Sequence, residues 1–335
     1  MTSRDDYVEV VMASDQGYLP GLLGTAASIA LFSSRDVTLS FTFLDGGIAD
    51  ESYDFVVERV KALHPHVEVR RFMIDDGIFV NFPSWRGNKM TYARFLIPSL
   101  LPDAGHAIYC DVDFLFLADI AELWRMRDDN VILKACHDPQ ISETDEKDDM
   151  QRQGLPYCEE KYFNAGLVMM NLRVFREQKI VDQVYELLGK YHFRFLDQGA
   201  MNVLFHDKAE IIDNKWMRFT RYSRAGDLEK PIAWHFVNEA PWKKLGWVID
   251  FTDTRMAWLR VMSLARGESF LRTIWRYNTG IQMAAIAFWT VIAKFPVFRQ
   301  LFMLALKMAR KQESIEFFTH RASLLKVPVL KNAYR

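Results

Sequence analysis

Apolar runs bounded by polar turns recur along the first two-thirds of the chain. YVEVVMAS (7–14), VTLSFTFLD (37–45) and VEVRRFM (67–73) have the length and the β-branched and aromatic content of strands. Between them, residues 20–32 and roughly 50–63 place apolar side chains at helical spacing. Three further apolar runs follow: AIYCDVD (107–113), VILKAC (131–136) and LVMMNL (167–172). Strands alternating with helices predict βαβ units around a mostly parallel, buried sheet, an α/β fold. Ligands of such open sheets sit beyond the carboxyl ends of the strands. That directs attention to Asp15, Asp45, Asp111, Asp113 and Asp138. The stretch 138–154, acidic and without periodicity, reads as an exposed loop and a candidate to order over a ligand.

Charge changes the picture at one end. The 335 residues carry 42 Lys and Arg against 43 Asp and Glu, a net −1, which disfavours a wholly basic nucleic-acid binder. From 268 to 335, however, eleven Lys and Arg face three Asp and Glu, so an acidic body is joined to a basic tail of +8. The tail is rich in Phe, Trp, Leu and Met. Its apolar run 281–293 is too short for a bilayer-crossing helix, which needs ~20 residues. Basic and bulky apolar residues mixed over 297–311 suit a helix lying in the interface of an anionic membrane, the alternative being a helical subdomain packed on the body. The expected division is 1–250 for the catalytic domain and 251–335 for this helical tail. Cys110, Cys136 and Cys158 form no CxxC pair, which points to a reducing compartment, and MTSRDDYVEV does not have the form of a signal peptide.

Candidate chemistry centres on Asp111-Val112-Asp113. Two carboxylates one residue apart at the end of a buried strand can both meet a hard divalent cation that bridges to substrate phosphates, although the triplet alone also fits a solvated turn. His235, after a short apolar run, is either a core residue or a third ligand whose imidazole suits Mn²⁺ better than Mg²⁺. Arg94 fits a phosphate contact or a helix-surface ion pair, and Asp197 fits a helix N-cap. No P-loop, dinucleotide fingerprint or GxSxG elbow is present.

Taken in order, ASD-x-x-Y, TYARF, apolar-DVD, YFNAG (162–166), LDQG-x-x-N (196–202) and HF…PW (235–242) resemble glycosyltransferase family 8 over about residues 7–245. The likeness is strongest to its bacterial branch that builds lipopolysaccharide or lipooligosaccharide. The resemblance implies a GT-A fold, a divalent metal (Mn²⁺, or Mg²⁺), a UDP-sugar donor and retention of anomeric configuration. It implies Asp111, Asp113 and His235 as metal ligands. It places Asp15 at the nucleoside, Arg94, Asp111 and Val112 at the donor, and Asn164 and Asp197 near the donor sugar. Gln198 falls where the family faces the anomeric carbon. One stretch departs: where the family reads H-x-x-G-x-x-K-P-W, Asn238 replaces the Gly and Ala240 the Lys, and Lys243 stands three residues late as the candidate diphosphate contact.

The expected protein is thus a metal-dependent retaining transferase of galactose or glucose, peripheral on the cytoplasmic face of a bacterial inner membrane. Its partners would be a UDP-hexose, a glycan or lipid-linked saccharide acceptor and an anionic membrane surface, with no nucleic acid. Two alternatives stand beside it. One is a nucleotidyltransferase, which normally has a basic Gly-rich first loop; ASDQGYLPGLLG has no basic residue. The other is a degenerate sugar-nucleotide-binding protein without transferase activity.

Overall fold

The computed structural model describes residues 7–84, 87–220, 233–237, 240–243, 253–278 and 280. The first three predicted strands form as read: β1 (Tyr7–Ser14), β2 (Thr38–Asp45) and β3 (Val67–Met73). They continue with β4 (His106–Cys110), β5 (Phe114–Phe116), β6 (Leu133–His137), β7 (Phe163–Asn171), β8 (Ala209–Ile212), β9 (Arg218–Phe219) and β10 (Ala233–His235). A seven-stranded sheet has the order β3-β2-β1-β4-β7-β6-β8, and β5, β10 and β9 form a small second sheet. The large sheet is mostly parallel; β7 runs antiparallel to both β4 and β6.

Helices α1 (Leu19–Phe32) and α2 (Asp50–Leu63) follow the first two strands. Helix α1 begins with Pro20 in its first turn and is buried continuously from Gly21 to Ala30, so it is apolar on nearly every side. Helix α2 buries Val56 and Val60, with Asp50 and Glu51 at its N-terminus and Lys61 at its C-terminus, the charge order its dipole favours. Short helices α3 (Ile97–Leu100), α4 (Ile120–Trp124), α5 (Glu146–Arg152) and α6 (Leu172–Glu177) precede α7 (Ile180–Lys190) and α8 (Leu196–Phe205). The chain then reaches α9 (Asp253–Arg266) and α10 (Phe270–Tyr277).

Alternation along β1 divides the core in two. Val8, Val10 and Met12 face the layer of α1, α2 and α9, whereas Val11 faces the layer of α3, α6, α7 and α8. Both faces being covered explains why the strands read as near-continuous apolar runs. The acidic stretch 138–154 differs from the expected exposed loop. It folds into a 3-10 turn and α5, burying Ile141, Glu146 and Met150. Arg194 clamps Asp145 and Asp149, and the Gln153 side chain exchanges two hydrogen bonds with the His192 backbone. These partners lie some forty residues on, so local periodicity could not reveal them.

Candidate active site

The turn carrying Asp111, Val112 and Asp113 links β4 to β5, and α1 holds it from behind. The buried Thr25 hydroxyl lies 2.8 Å from the Val112 carbonyl and 2.9 Å from that of Phe114, while Ser28 accepts from the Phe116 amide. Helix and turn approach so closely that a Cβ on Gly21 would stand 2.6 Å from the Val112 oxygen. On the other side the Asp111 amide donates to the Gly166 carbonyl at 2.7 Å.

His235 ends β10, paired opposite Phe114 at the start of β5. Its imidazole stacks on the Phe114 ring at 4.2 Å and meets Phe219 edge-on. One ligand atom each from Asp111, Asp113 and His235 can be chosen so that all lie within 4.8 Å of one another. His235 Nε2 stands 3.1 Å from Asp113 Oδ1, yet that buried oxygen makes no aligned hydrogen bond among the described residues. A Cβ on Gly166 would fill the same space, 2.7 Å from His235 Cε1 and 3.0 Å from Asp111 Oδ2. Burial disfavours charge on His235, but Asp113, Asp111 and Asp138 together more than offset it and raise the imidazole pKa. Burial pushes the Asp111 carboxyl up against the opposing pull of Arg94, and Asp113 adds to the rise. Two crowded carboxylates, an imidazole and an unpartnered oxygen form a donor set that a divalent cation fits.

Arg94 lies in a 3-10 turn, Met90–Leu96, and is 2% exposed, so it is no helix-surface ion pair. Its guanidinium stands 3.2 Å from Asp111 and 3.1 Å from Asp197, stacks over Tyr109 at 4.3 Å, and donates to the Ala165 carbonyl. Burial works against its charge; Asp197, Tyr109 and Asp111 more than offset that, and its pKa is raised. Asp197 is not the N-cap of α8, a position held by Phe195 without a side-chain cap. It lies in the first turn, accepts from the Thr91 hydroxyl at 2.7 Å, and is burdened by burial more than Arg94 relieves it, so its pKa rises. The preceding Leu196 adopts φ +48°, a left-handed backbone that costs a non-glycine residue roughly 1–2 kcal/mol.

Asp138, at the end of β6, joins the next pair. Its Oδ2 accepts from Asn164 Nδ2 at 3.0 Å and from Gln198 Nε2 at 3.1 Å, while Gln198 Oε1 accepts the Ala165 amide. Asp15 accepts the Tyr18 amide on one oxygen and the Asn88 side chain on the other, at 2.7 Å. One cavity of about 310 Å³ is lined by Asp15, Arg94, Asp111, Val112, Asp113, Asn164, Asp197, Gln198 and His235 together. Lys243 is outside that lining; its ammonium lies 5.7 Å from the ring of Tyr18, which does line the cavity. Residues 238 and 239 lie outside the described residues. Asp45, singled out by position, is fully buried and structural: it accepts the Gly47 and Ile48 amides and pairs with Arg71.

Asn88, Thr91, Tyr109 and Gly166 line the cavity and were not singled out by sequence reasoning. A glycine inside the strand FNAGLVMMN was a readable signal of close approach. Asn88 and Thr91 had none, since their partners Asp15 and Asp197 are distant in sequence, whereas Tyr109 donates to Asp111 only two residues on.

An open α/β sheet with acids, an imidazole and amides converging beyond its strand ends has its candidate site where such sheets bind ligands. Galactosyltransferase LgtC, solved with donor and acceptor sugar analogues, superposes with a TM-score of 0.64 at 22% identity, covering 78% of this chain and 96% of that one. The bifunctional glycosyltransferase WbbM gives a TM-score of 0.65 at 19% identity over 82% of this chain and 52% of that one. The profile of glycosyl transferase family 8 matches residues 9–246, and the chain belongs to that family. Curated relatives include a putative glycosyltransferase of Haemophilus influenzae, 27% identical over 62% of each chain. A lipopolysaccharide 1,3-galactosyltransferase of Salmonella typhimurium is 22% identical over 64% of each. The matched region spans about three-fifths of the Haemophilus relative and of a Streptococcus pneumoniae glycosyltransferase, GlyB, 62% and 61% of their lengths.

Proposed function

We propose that the chain is a metal-dependent, retaining hexosyltransferase that moves galactose or glucose from a UDP-sugar to a glycan acceptor of lipopolysaccharide type. The observation that carries this is the convergence of Asp111, Asp113 and His235 around the space kept open by Gly166, in the same cavity as Asp197 and Gln198. A divalent cation held by those three residues, Mn²⁺ for preference, supplies Lewis acidity to a diphosphate leaving group. Asp15 meets the nucleoside, Val112 packs against the donor, and Asn164 and Asp197 orient the sugar. Arg94 holds Asp111 and Asp197 in place beside it. Lys243, in place of the family's lysine, contributes charge to the diphosphate from the cavity rim.

Retention follows most simply from same-face attack. Gln198 is a poor nucleophile, and Asp197 is engaged by Arg94 and Thr91, which leaves its carboxylate poorly suited to a covalent intermediate. A donor phosphate oxygen then takes the acceptor proton. Membership of the family argues against a nucleotidyltransferase. Attachment to the cytoplasmic face of an inner membrane is proposed for the basic tail. Residues 281–335 lie outside the described residues, and no helix among the described residues is long and apolar enough to cross a membrane.

Calorimetric UDP binding with and without Mn²⁺, followed by turnover of UDP-galactose and UDP-glucose, tests the proposal. UDP binding indifferent to Mn²⁺, or undiminished turnover by Asp113→Ala in chelator, defeats the metal role. Binding without turnover of either donor returns the degenerate sugar-nucleotide-binding alternative.

A further inference from the structure

Asn88 lines the cavity, half-buried, on the loop that leads into the 3-10 turn Met90–Leu96. Its partners fix which way the amide faces. Oδ1 accepts the Met90 backbone amide at 2.6 Å, so Nδ2 is the atom that donates to Asp15 Oδ2, at 2.7 Å. The flipped amide would set N–H against N–H at Met90 and oxygen against carboxylate at Asp15. Among the described residues, the second hydrogen on Nδ2 has no acceptor.

Asp15 is held from its other side too. It caps the turn Gln16–Tyr18, its Oδ1 accepting the Tyr18 amide at 3.0 Å, and a Cβ on Gly17 would stand 3.2 Å from that oxygen. Gln16 fastens the same turn to the start of α2, donating to the Ser52 hydroxyl and accepting the Ala49 amide. An ionised carboxylate only accepts hydrogen bonds, at about four lone-pair sites. The protein fills one on each oxygen, so Asp15 keeps accepting capacity but has little freedom to turn. Lys89, next to Asn88 in the chain, donates instead to the Phe79 and Val80 carbonyls, and Lys243 stands 5.7 Å from the Tyr18 ring. Among the described residues, no cation pairs with Asp15, and the Asn88 amide alone meets its Oδ2.

We propose that Asn88 is the positioning residue for the nucleoside end of the donor site. Its amide holds the Asp15 carboxylate in an accepting pose for the N–H and O–H groups of base and ribose. The inference rests on the reading of Asp15 as the nucleoside contact. A carboxylate freed of Asn88 is fixed at one oxygen only, and the loss of its freedom on binding then opposes the ligand.

Calorimetry with UDP and with UMP, each with and without Mn²⁺, tests this. Asn88→Ala should weaken both ligands about tenfold or more, the scale of one hydrogen bond to a charged group, and by the same factor whether or not Mn²⁺ is present. Asp15→Ala should lose at least as much, and adding Asn88→Ala to it should cost almost nothing more. Asn88→Asp sets a second carboxylate against Asp15, and two such groups cannot both ionise without a penalty. Near about pH 8 this variant should bind UDP weakly; toward about pH 5 a shared proton restores a donor to Asp15, and affinity should approach wild type. The ratio to wild type at each pH cancels the titration of the diphosphate and of Asp111, Asp113 and His235, which both proteins share. A residue that merely props up its loop gives no such recovery. Undiminished affinity in Asn88→Ala, full additivity with Asp15→Ala, or an Asn88→Asp ratio that is flat with pH overturns the proposal while leaving the donor site intact. Wild type that binds neither UDP nor UMP defeats the nucleoside reading itself, and this proposal with it.

Discussion

At the scale of single residues, the site is limited by space as much as by charge. A Cβ on Gly166 would meet His235, Asn164 and Asp111 at 2.7, 2.9 and 3.0 Å, too close for any side chain. Gly166→Ala should therefore spread the three cation ligands while the buried strand around it still forms. The expected result is loss of Mn²⁺-dependent UDP affinity by at least ~10-fold, the scale seen when metal ligands are misoriented. Calorimetry with and without Mn²⁺ checks it, and unchanged affinity would mean the cation is bound elsewhere. Arg94 supports a different expectation. It is the cation shared by Asp111 and Asp197, so Arg94→Met should cost about 3–5 kcal/mol in urea unfolding by leaving buried charge uncompensated. Adding Asp197→Asn should recover part of that loss. Strict additivity of the two substitutions would show that the pair does not interact.

At the scale of elements, α1 is both core and scaffold. Its Thr25 and Ser28 are fully buried and spend their hydroxyls on the backbone that follows Asp111. Thr25→Val keeps the shape and removes the hydroxyl from the Val112 and Phe114 carbonyls, which should cost about 1–3 kcal/mol in thermal or urea unfolding. The same change should raise the concentration of Mn²⁺ needed for half-maximal UDP binding, since the turn loses its anchor. Unaltered Mn²⁺ dependence would place the rigidity of the turn in β4 and β5 alone. Strands β1 to β3 and helices α1 and α2 were legible because their patterns are long and local. The strand-end acids were legible for the same reason, since a carboxylate closing an apolar run is conspicuous in any frame. The small sheet of β5, β9 and β10 was not, because strands of two or three residues carry too little pattern, and β10 pairs with β5 from more than a hundred positions away. The fold of 138–154 was hidden likewise, its apolar anchors being few and its clamp, Arg194, remote. Arg94 and Asp197 could be named from their motifs, but their mutual pairing was invisible until the chain closed.

At the scale of the whole molecule, the described C-terminal helices pack onto the body. Trp258 of α9 is buried, and Tyr277 of α10 meets its ring edge-on at 5.0 Å. Arg255 is 2% exposed and donates to the Pro241 and Tyr277 carbonyls and to Asn278 Oδ1. A chain ending at Arg266 removes two of those acceptors from a buried cation. At roughly 1.5–3 kcal/mol for each hydrogen bond to a charged group, the loss should exceed about 3 kcal/mol and lower Tm by several degrees. A chain ending at Gly280 keeps all three acceptors and should melt near wild type. It also separates folding from attachment. Beyond Gly280 lie nine Lys and Arg against two Asp and Glu, among Phe, Trp, Leu and Met. Each basic residue near an anionic surface contributes about 1 kcal/mol, screened within a Debye length. The full chain should therefore sediment with phosphatidylserine vesicles at low salt and be partly released at high salt. The chain ending at Gly280 should remain in the supernatant and still bind UDP with Mn²⁺. On α10, Leu271 and Trp275 project outward at 62% and 55% exposure beside Arg272, an apolar face still present in that shorter chain. If the shorter chain sediments as strongly as the full one, that face is the attachment surface and the distal tail is not. If neither sediments, membrane attachment itself is wrong, and the +8 of residues 268–335 must serve another partner.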